Sequence, residues 1–155
     1  MTITASHLTD FDIQIADGGP GVQPYSGRGL RGRLTPIALA QGDDKGAYSV
    51  NGKYIDLAAP QMRKFRLEIT GNDMEAPALD NLWTGNIVNV SCLNEVSFLT
   101  TGGLTYSRTP VADSVRTQNG YTFYRPFLEM AIVGWHIETA EWDAQTSWQL
   151  TLTET

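Results

Sequence analysis

Residues 65–70, Phe-Arg-Leu-Glu-Ile-Thr, and residues 148–153, Trp-Gln-Leu-Thr-Leu-Thr, alternate apolar and polar side chains at every position. A β-strand turns successive side chains to opposite faces, so each stretch lays three apolar groups on one face and three polar groups on the other. The pattern recurs. Phe11, Ile13 and Ile15 alternate with Asp12, Gln14 and Ala16, and Val88, Val90 and Cys92 alternate with Asn89 and Ser91. Apolar strand faces must meet, which predicts that Phe65, Leu67, Ile69, Val88, Val90, Trp148, Leu150 and Leu152 share one core. Residues 127–137 are more uniformly apolar and read as a central strand covered on both faces.

Turn chemistry points the same way. Asn51-Gly52 separates AYSV from KYIDL, and Asn119-Gly120 precedes YTFY, both strong hairpin signals. Gly71-Asn72 and Gly102-Gly103 read as further punctuation. Helical signal is confined to short windows at 60–64 and 76–82, and no window holds three turns of 3.6 periodicity. The expectation is an all-β protein, an antiparallel sandwich or small barrel with at most short single-turn helices. Residues 17–29, DGGPGVQPYSGRG, contain five glycines and two prolines, too many for a regular element. They predict an extended arm that lies on a neighbour, and residues 17–33 are expected to make few contacts within their own chain. The organisation is then an N-terminal strand and arm over 1–33, and a single β domain over 34–155.

At 155 residues and 17.0 kDa the chain suits one core. Charged residues make up 18%, below the ~25% of an average soluble domain, so the polar surface is carried by Thr, Ser, Asn and Gln. No stretch approaches the ~18 apolar residues of a membrane helix, and the N-terminus lacks the features of a secretory signal. A net charge of -6 disfavours bulk nucleic-acid binding. The charge is uneven. Residues 28–66 hold eight basic side chains against three acids, a local +5, and the remainder holds three arginines against fourteen acids, a local -11. Such a subunit can present oppositely charged surfaces to copies of itself or to a partner.

Catalytic constellations are scarce. The chain has two histidines and one cysteine, with no G-x-S-x-G elbow, no C-x-x-C and no H-x-x-x-H. Neither a catalytic residue, a metal ligand set nor a cofactor is expected. The paired acids Asp43-Asp44, Asp73 with Glu75, and Glu141 with Asp143 leave a small hydrolase as a remote alternative. Asn72, Asp73, Glu75 and Asp80 could offer oxygens to calcium without fitting the EF-hand spacing.

Interface chemistry is richer. In an extended strand Arg31 and Arg33 point to one side, and with Arg28 and Tyr25 they form a candidate contact set. Guanidinium forks pair with carboxylates across interfaces, and Glu138, Glu141 and Asp143 of another subunit are the expected partners. Aromatic residues crowd the second half: Trp83, Trp135, Trp142, Trp148, Tyr121, Phe123, Tyr124 and Phe127. Most are expected in the core. Trp142, in the polar stretch ETAEWDAQ, is the candidate exposed anchor.

Several stretches carry a resemblance. YSGRGLRGRLTPIALA is followed by SVNGKYIDLAAPQMRKFRLEITGNDMEAPALDNLWTGNIVNVSCLNEVSF and then by YTFYRPFLEMAIVGWHIETAEWDAQTSWQLTLTE. Together they cover most of residues 25–154 and resemble small virion structural proteins of tailed bacteriophages. The resemblance implies a structural role in the virion, with a capsid cement or decoration protein as the first expectation. It implies major capsid or other virion proteins as partners, self-association as a trimer or ring, and no enzymatic site; from the charge and the lack of a long apolar run, neither nucleic acid nor a membrane is an expected partner. A neck or tail component of the same particle is the alternative. A carbohydrate- or receptor-binding module using Trp142 with Trp135 is the second.

Overall fold

A computed structural model describes residues 12–15, 30–38, 46–56, 63–80 and 82–155. Among them are eleven strands and no helix: β1 (Asp12–Ile15), β2 (Arg31–Ala38), β3 (Gly46–Tyr48), β4 (Tyr54–Asp56), β5 (Arg63–Asp73), β6 (Ile87–Ser91), β7 (Val96–Leu99), β8 (Arg116–Gln118), β9 (Tyr121–Tyr124), β10 (Phe127–Ala140) and β11 (Gln145–Glu154). Six form one antiparallel sheet in the order β1-β6-β10-β11-β5-β2. That sheet curls into a half-barrel, and a second sheet, β7-β9-β8, accompanies it. The protein is all-β.

The alternating stretches become its strands. In β5 and β11 the residues Leu67, Ile69, Trp148, Leu150 and Leu152 are buried, and Leu67 opposes Leu152 while Ile69 opposes Leu150. Val88, Val90 and Ile13 join them from β6 and β1, and Leu128, Met130 and Ile132 from β10. Phe65, at the start of β5, is half-buried and packs on the edge of this core. Residues 127–137 are not covered on both faces as expected. Leu128, Met130 and Ile132 point inward, while Val133 is 47% exposed. The β10–β11 register shifts between Ile132 and Gly134. The bulge lets the segment after Leu82 attach to β10: Gly85 N–H donates to the Ile132 carbonyl and Ile132 N–H to the Asn86 carbonyl, each at 2.9 Å. Residues 76–80 and 82 form bends and a turn, not the expected single-turn helix, and two leucines, Leu79 and Leu82, drop into the core.

Gly71-Asn72 is not a turn either. Both lie inside β5, and the Trp148 indole covers Gly71 across the β5–β11 pair. The hairpin signals hold. Asn119 (φ 53°) and Gly120 (φ 80°) make the two-residue turn between β8 and β9. Between β3 and β4, Gly52 takes φ 73° after a turn closed by its N–H to the Ser49 carbonyl. Gly32 on β2 meets the segment after β6. Asn94 Nδ2 donates to the Gly32 carbonyl at 2.9 Å and closes the curl of the sheet. A boundary between residues 33 and 34 would cut through β2, and Leu30, just before it, packs against the core. Residues 30–33 therefore engage their own chain, contrary to the expectation for 17–33; residues 17–29 lie outside the described residues.

Candidate functional site

β2 carries Arg31 and Arg33 on the outward face of the large sheet, on one side as their spacing requires. Register sets their neighbours. Arg31 opposes Thr70, Thr70 opposes Gln149, and Gln149 opposes His136, giving one polar row across four strands. A cleft of about 600 Å³ lies here, lined also by Asn72, Ser147 and Trp148. Arg33 opposes Glu68 and stands 3.9 Å from its carboxylate, with 78% of its side chain exposed. An ion pair so solvated contributes at most ~1 kcal/mol. Arg33 thus has an acid of its own chain beside it, on the neighbouring strand.

Glu141, Trp142 and Asp143 occupy the turn joining β10 to β11, and all three are exposed. Trp142 is 97% exposed, and Ala144 closes the turn in the left-handed region at φ 47°. Glu138 is exposed on the outward face one row from His136. Tyr25 and Arg28 lie outside the described residues. The structure therefore does not gather the expected set at one point. Arg31 and Arg33 sit on the edge strand, and the acids sit at the tip of the long hairpin.

Most of the aromatic residues expected in the core are elsewhere. Of the eight, Trp148 and Tyr124 are buried, while Trp83 is 73% exposed and Tyr121, Phe127 and Trp135 are partly exposed. Trp135 Nε1 donates to the Leu82 carbonyl at 2.6 Å, which fixes its ring beside the β10 bulge.

Two features have no forerunner in the sequence reading. The first is a clamp at the end of the sheet where β5 begins and β11 ends. Arg108 donates through Nε and Nη2 to both Glu154 oxygens, and its Nη2 also reaches the Arg63 carbonyl at 3.0 Å. Phe65 N–H donates to Glu154 Oε2 at 2.9 Å, and the guanidinium lies 5.3 Å from the Phe65 ring centroid. The hydrogen bond to Glu154 pushes the Arg108 pKa further up. The second feature is an aromatic group. The rings of Phe98, Tyr106 and Tyr124 meet edge to face at centroid separations of 5.0–6.2 Å. Beside them lies a mostly apolar cleft of about 270 Å³, lined by Val96, Phe98, Leu104 and Tyr124 with Thr105 and Ser107. Ser107 and Tyr124 share a hydroxyl hydrogen bond of 3.0 Å. The alternating VSFL and YTFY stretches place Phe98 and Tyr124, but the loop that brings Leu104 and Tyr106 carries no periodic signal.

Among the described residues, no group of three or more His, Cys, Asp or Glu side chains could hold a metal ion. Asp73 turns one carboxylate oxygen to the Met74 N–H at 2.8 Å. Cys92 is fully buried, and burial pushes its thiol up to about 12, against a smaller lowering by Arg125. A thiol so held is not ionised near neutrality and is a poor nucleophile. No helix among the described residues is long and apolar enough to cross a membrane. The chain matches no protein family and no curated protein.

Proposed function

We propose that the chain is a structural protein of a tailed-phage virion, a cement or decoration protein that binds neighbouring capsid subunits. The observation that carries this reading is Trp142. A tryptophan 97% exposed on the tip of a long hairpin, flanked by Glu141 and Asp143, has the chemistry of an interface anchor. Support also comes from where the resemblance falls. The RKFRLEI stretch falls in β5, and the terminal W-x-L-x-L-x-E stretch falls in β11, two neighbouring interior strands of the large sheet. The outward face of that sheet is polar, with Thr70, Gln149, Thr151 and Ser147 offering hydroxyl and amide groups for wet contacts. On this reading the partners are major capsid or other virion proteins, the chain acts as a homo-oligomer, and it performs no reaction.

The test is immunogold labelling and quantitative mass spectrometry of gradient-purified particles from the phage or prophage that encodes the chain. Label over the heads at a fixed copy number per capsid is the expected result. Label at the neck or tail alone moves the chain to the other end of the particle, and particles free of the chain overturn the reading.

A further inference from the structure

We infer that this chain joins a second copy of itself head to tail, Trp142 of one copy entering the aromatic cleft at Phe98, Leu104 and Tyr124 of the next. The inference rests on the building-block reading and names what its Trp142 anchor meets: a second copy of the chain. Knob and hole sit at opposite ends of the molecule. Tyr124 lies three residues before β10 begins, and Trp142 lies two residues after it ends. Fourteen residues at about 3.3 Å each place them up to roughly 45 Å apart. A chain cannot fill its own cleft with its own tryptophan, whereas a second copy can. Because the two surfaces differ, the contact is heterologous, and repetition gives a ring or a filament.

Size and polarity match. At about 270 Å³ the cleft falls just below the ~300–1,000 Å³ of small-molecule sites and suits a single large side chain. Its walls are apolar and aromatic, and Leu104 is 61% exposed beside it. The hydroxyl oxygens of Thr105 and Ser107 are acceptors of the kind a buried indole N–H requires. The turn holds its tryptophan on a short four-residue connection, so little ordering is needed on contact.

Charge supplies the orientation. Glu138, Glu141 and Asp143 surround the knob, and the end of β5 adds Asp73 and Glu75 at the same end of the sheet, since Asp73 opposes Thr146. The cleft lies at the other end. Ser107 on its wall adjoins Arg108, which binds the Arg63 carbonyl at the start of β5. Arg63 and Arg66 are exposed there, with Lys64 between them. Arg108 is paired with Glu154, so the positive charge at this end of the sheet comes from Arg63, Lys64 and Arg66, which outnumber the exposed Glu129. The acidic turn is attracted towards that end when copies stack head to tail, and meets a like charge in the reverse arrangement.

The test uses the full chain and two variants at exposed positions, Trp142→Ala and Leu104→Glu, in sedimentation velocity up to about 1 mM. The parent is expected to form species larger than a dimer as concentration rises. Each variant alone weakens association roughly 30-fold or more, as loss of a tryptophan anchor does. The decisive arm mixes the two. The Trp142→Ala chain keeps the cleft and the Leu104→Glu chain keeps the knob, so together they form 1:1 pairs and nothing larger. A parent that stays monomeric, a Trp142→Ala chain that associates like the parent, or a mixture that fails to pair overturns the inference. Particle labelling decides the building-block reading separately: self-association through another surface sinks this contact and leaves that reading standing.

Discussion

Gly71→Ala adds one methyl group inside β5, near its C-terminal end. That methyl would stand 2.5 Å from Trp148 Nε1, 2.6 Å from Cζ2, and closer still to Cε2. Carbon atoms pack at about 3.5–4.0 Å, so the indole must retreat by roughly 1 Å. It has little freedom to do so, because Trp148 is only 5% exposed and belongs to the main core. Forcing a methyl group into a packed core costs typically ~1–3 kcal/mol, and expelling the ring altogether would cost ~3–5. Against this, alanine restricts the unfolded chain and favours the fold by ~0.4–1 kcal/mol. From the middle of these ranges the expected net loss is about 1.3 kcal/mol, at a fall in Tm of roughly 2–4 °C for each kcal/mol. Urea denaturation followed by tryptophan fluorescence measures it, and Trp148→Leu in the same background should recover much of the Gly71→Ala loss. A Gly71→Ala chain as stable as the parent would refute the idea that the glycine exists to seat the indole.

Other outcomes follow from the clamp, the hairpin and the thiol. Arg108→Ala should cost about 2–3 kcal/mol, because it strips the guanidinium from a Glu154 carboxylate that is only 10% exposed and leaves the Phe65 N–H still donating to it. A double-mutant cycle with Glu154→Gln should give a coupling energy of about 1 kcal/mol or more, and one below ~0.5 kcal/mol would mean that the pair does not act as a unit. Ala144→Gly should stabilise the protein by roughly 0.5–1 kcal/mol in the same denaturation assay, since the residue sits at φ 47° where a side chain is strained; a loss would contradict this. Burial raises the Cys92 pKa to about 12, so the neutral thiol belongs to the fold. Its contribution is complete below the unfolded pKa of about 8.5–9, and it is lost as pH climbs from there to about 12, at ~1.4 kcal/mol per pH unit. Stability measured from pH 8 to about 11 should fall more steeply for the parent than for Cys92→Ala, and parallel curves would exclude the thiol as the cause.

Strand class was written in the sequence wherever one face of a strand meets the core. In FRLEIT and WQLTLT each apolar position is inward, because a period of two allows no other assignment to a one-sided sheet. Asn119-Gly120 likewise fixed its turn, since two successive positive φ angles suit that dipeptide. Arg31 and Arg33 share a face for the same geometric reason, and Trp142 stands out because no apolar periodicity claims it. Tertiary structure decided the rest. Gly71 resembles a turn residue until β11 lays an indole over it, and pairing between strands 77 residues apart leaves no local trace. The apolar run after Phe127 met water on one side because only one face of the large sheet carries the core: Leu128, Met130 and Ile132 alternate inward while Phe127, Glu129 and Val133 face out. Trp83 and Trp135 stayed at the surface because the core was already filled by the aliphatic residues of six strands. Arg63 came to one end of the sheet and Asp73 to the other, beside the β10–β11 turn with Glu141 and Asp143, because antiparallel pairing brings the start of β5 beside the end of β11; the same pairing put Arg31 towards the acidic end and Glu154 at the start of β5, a placement that depends on which strands pair and not on where the charges fall in the chain.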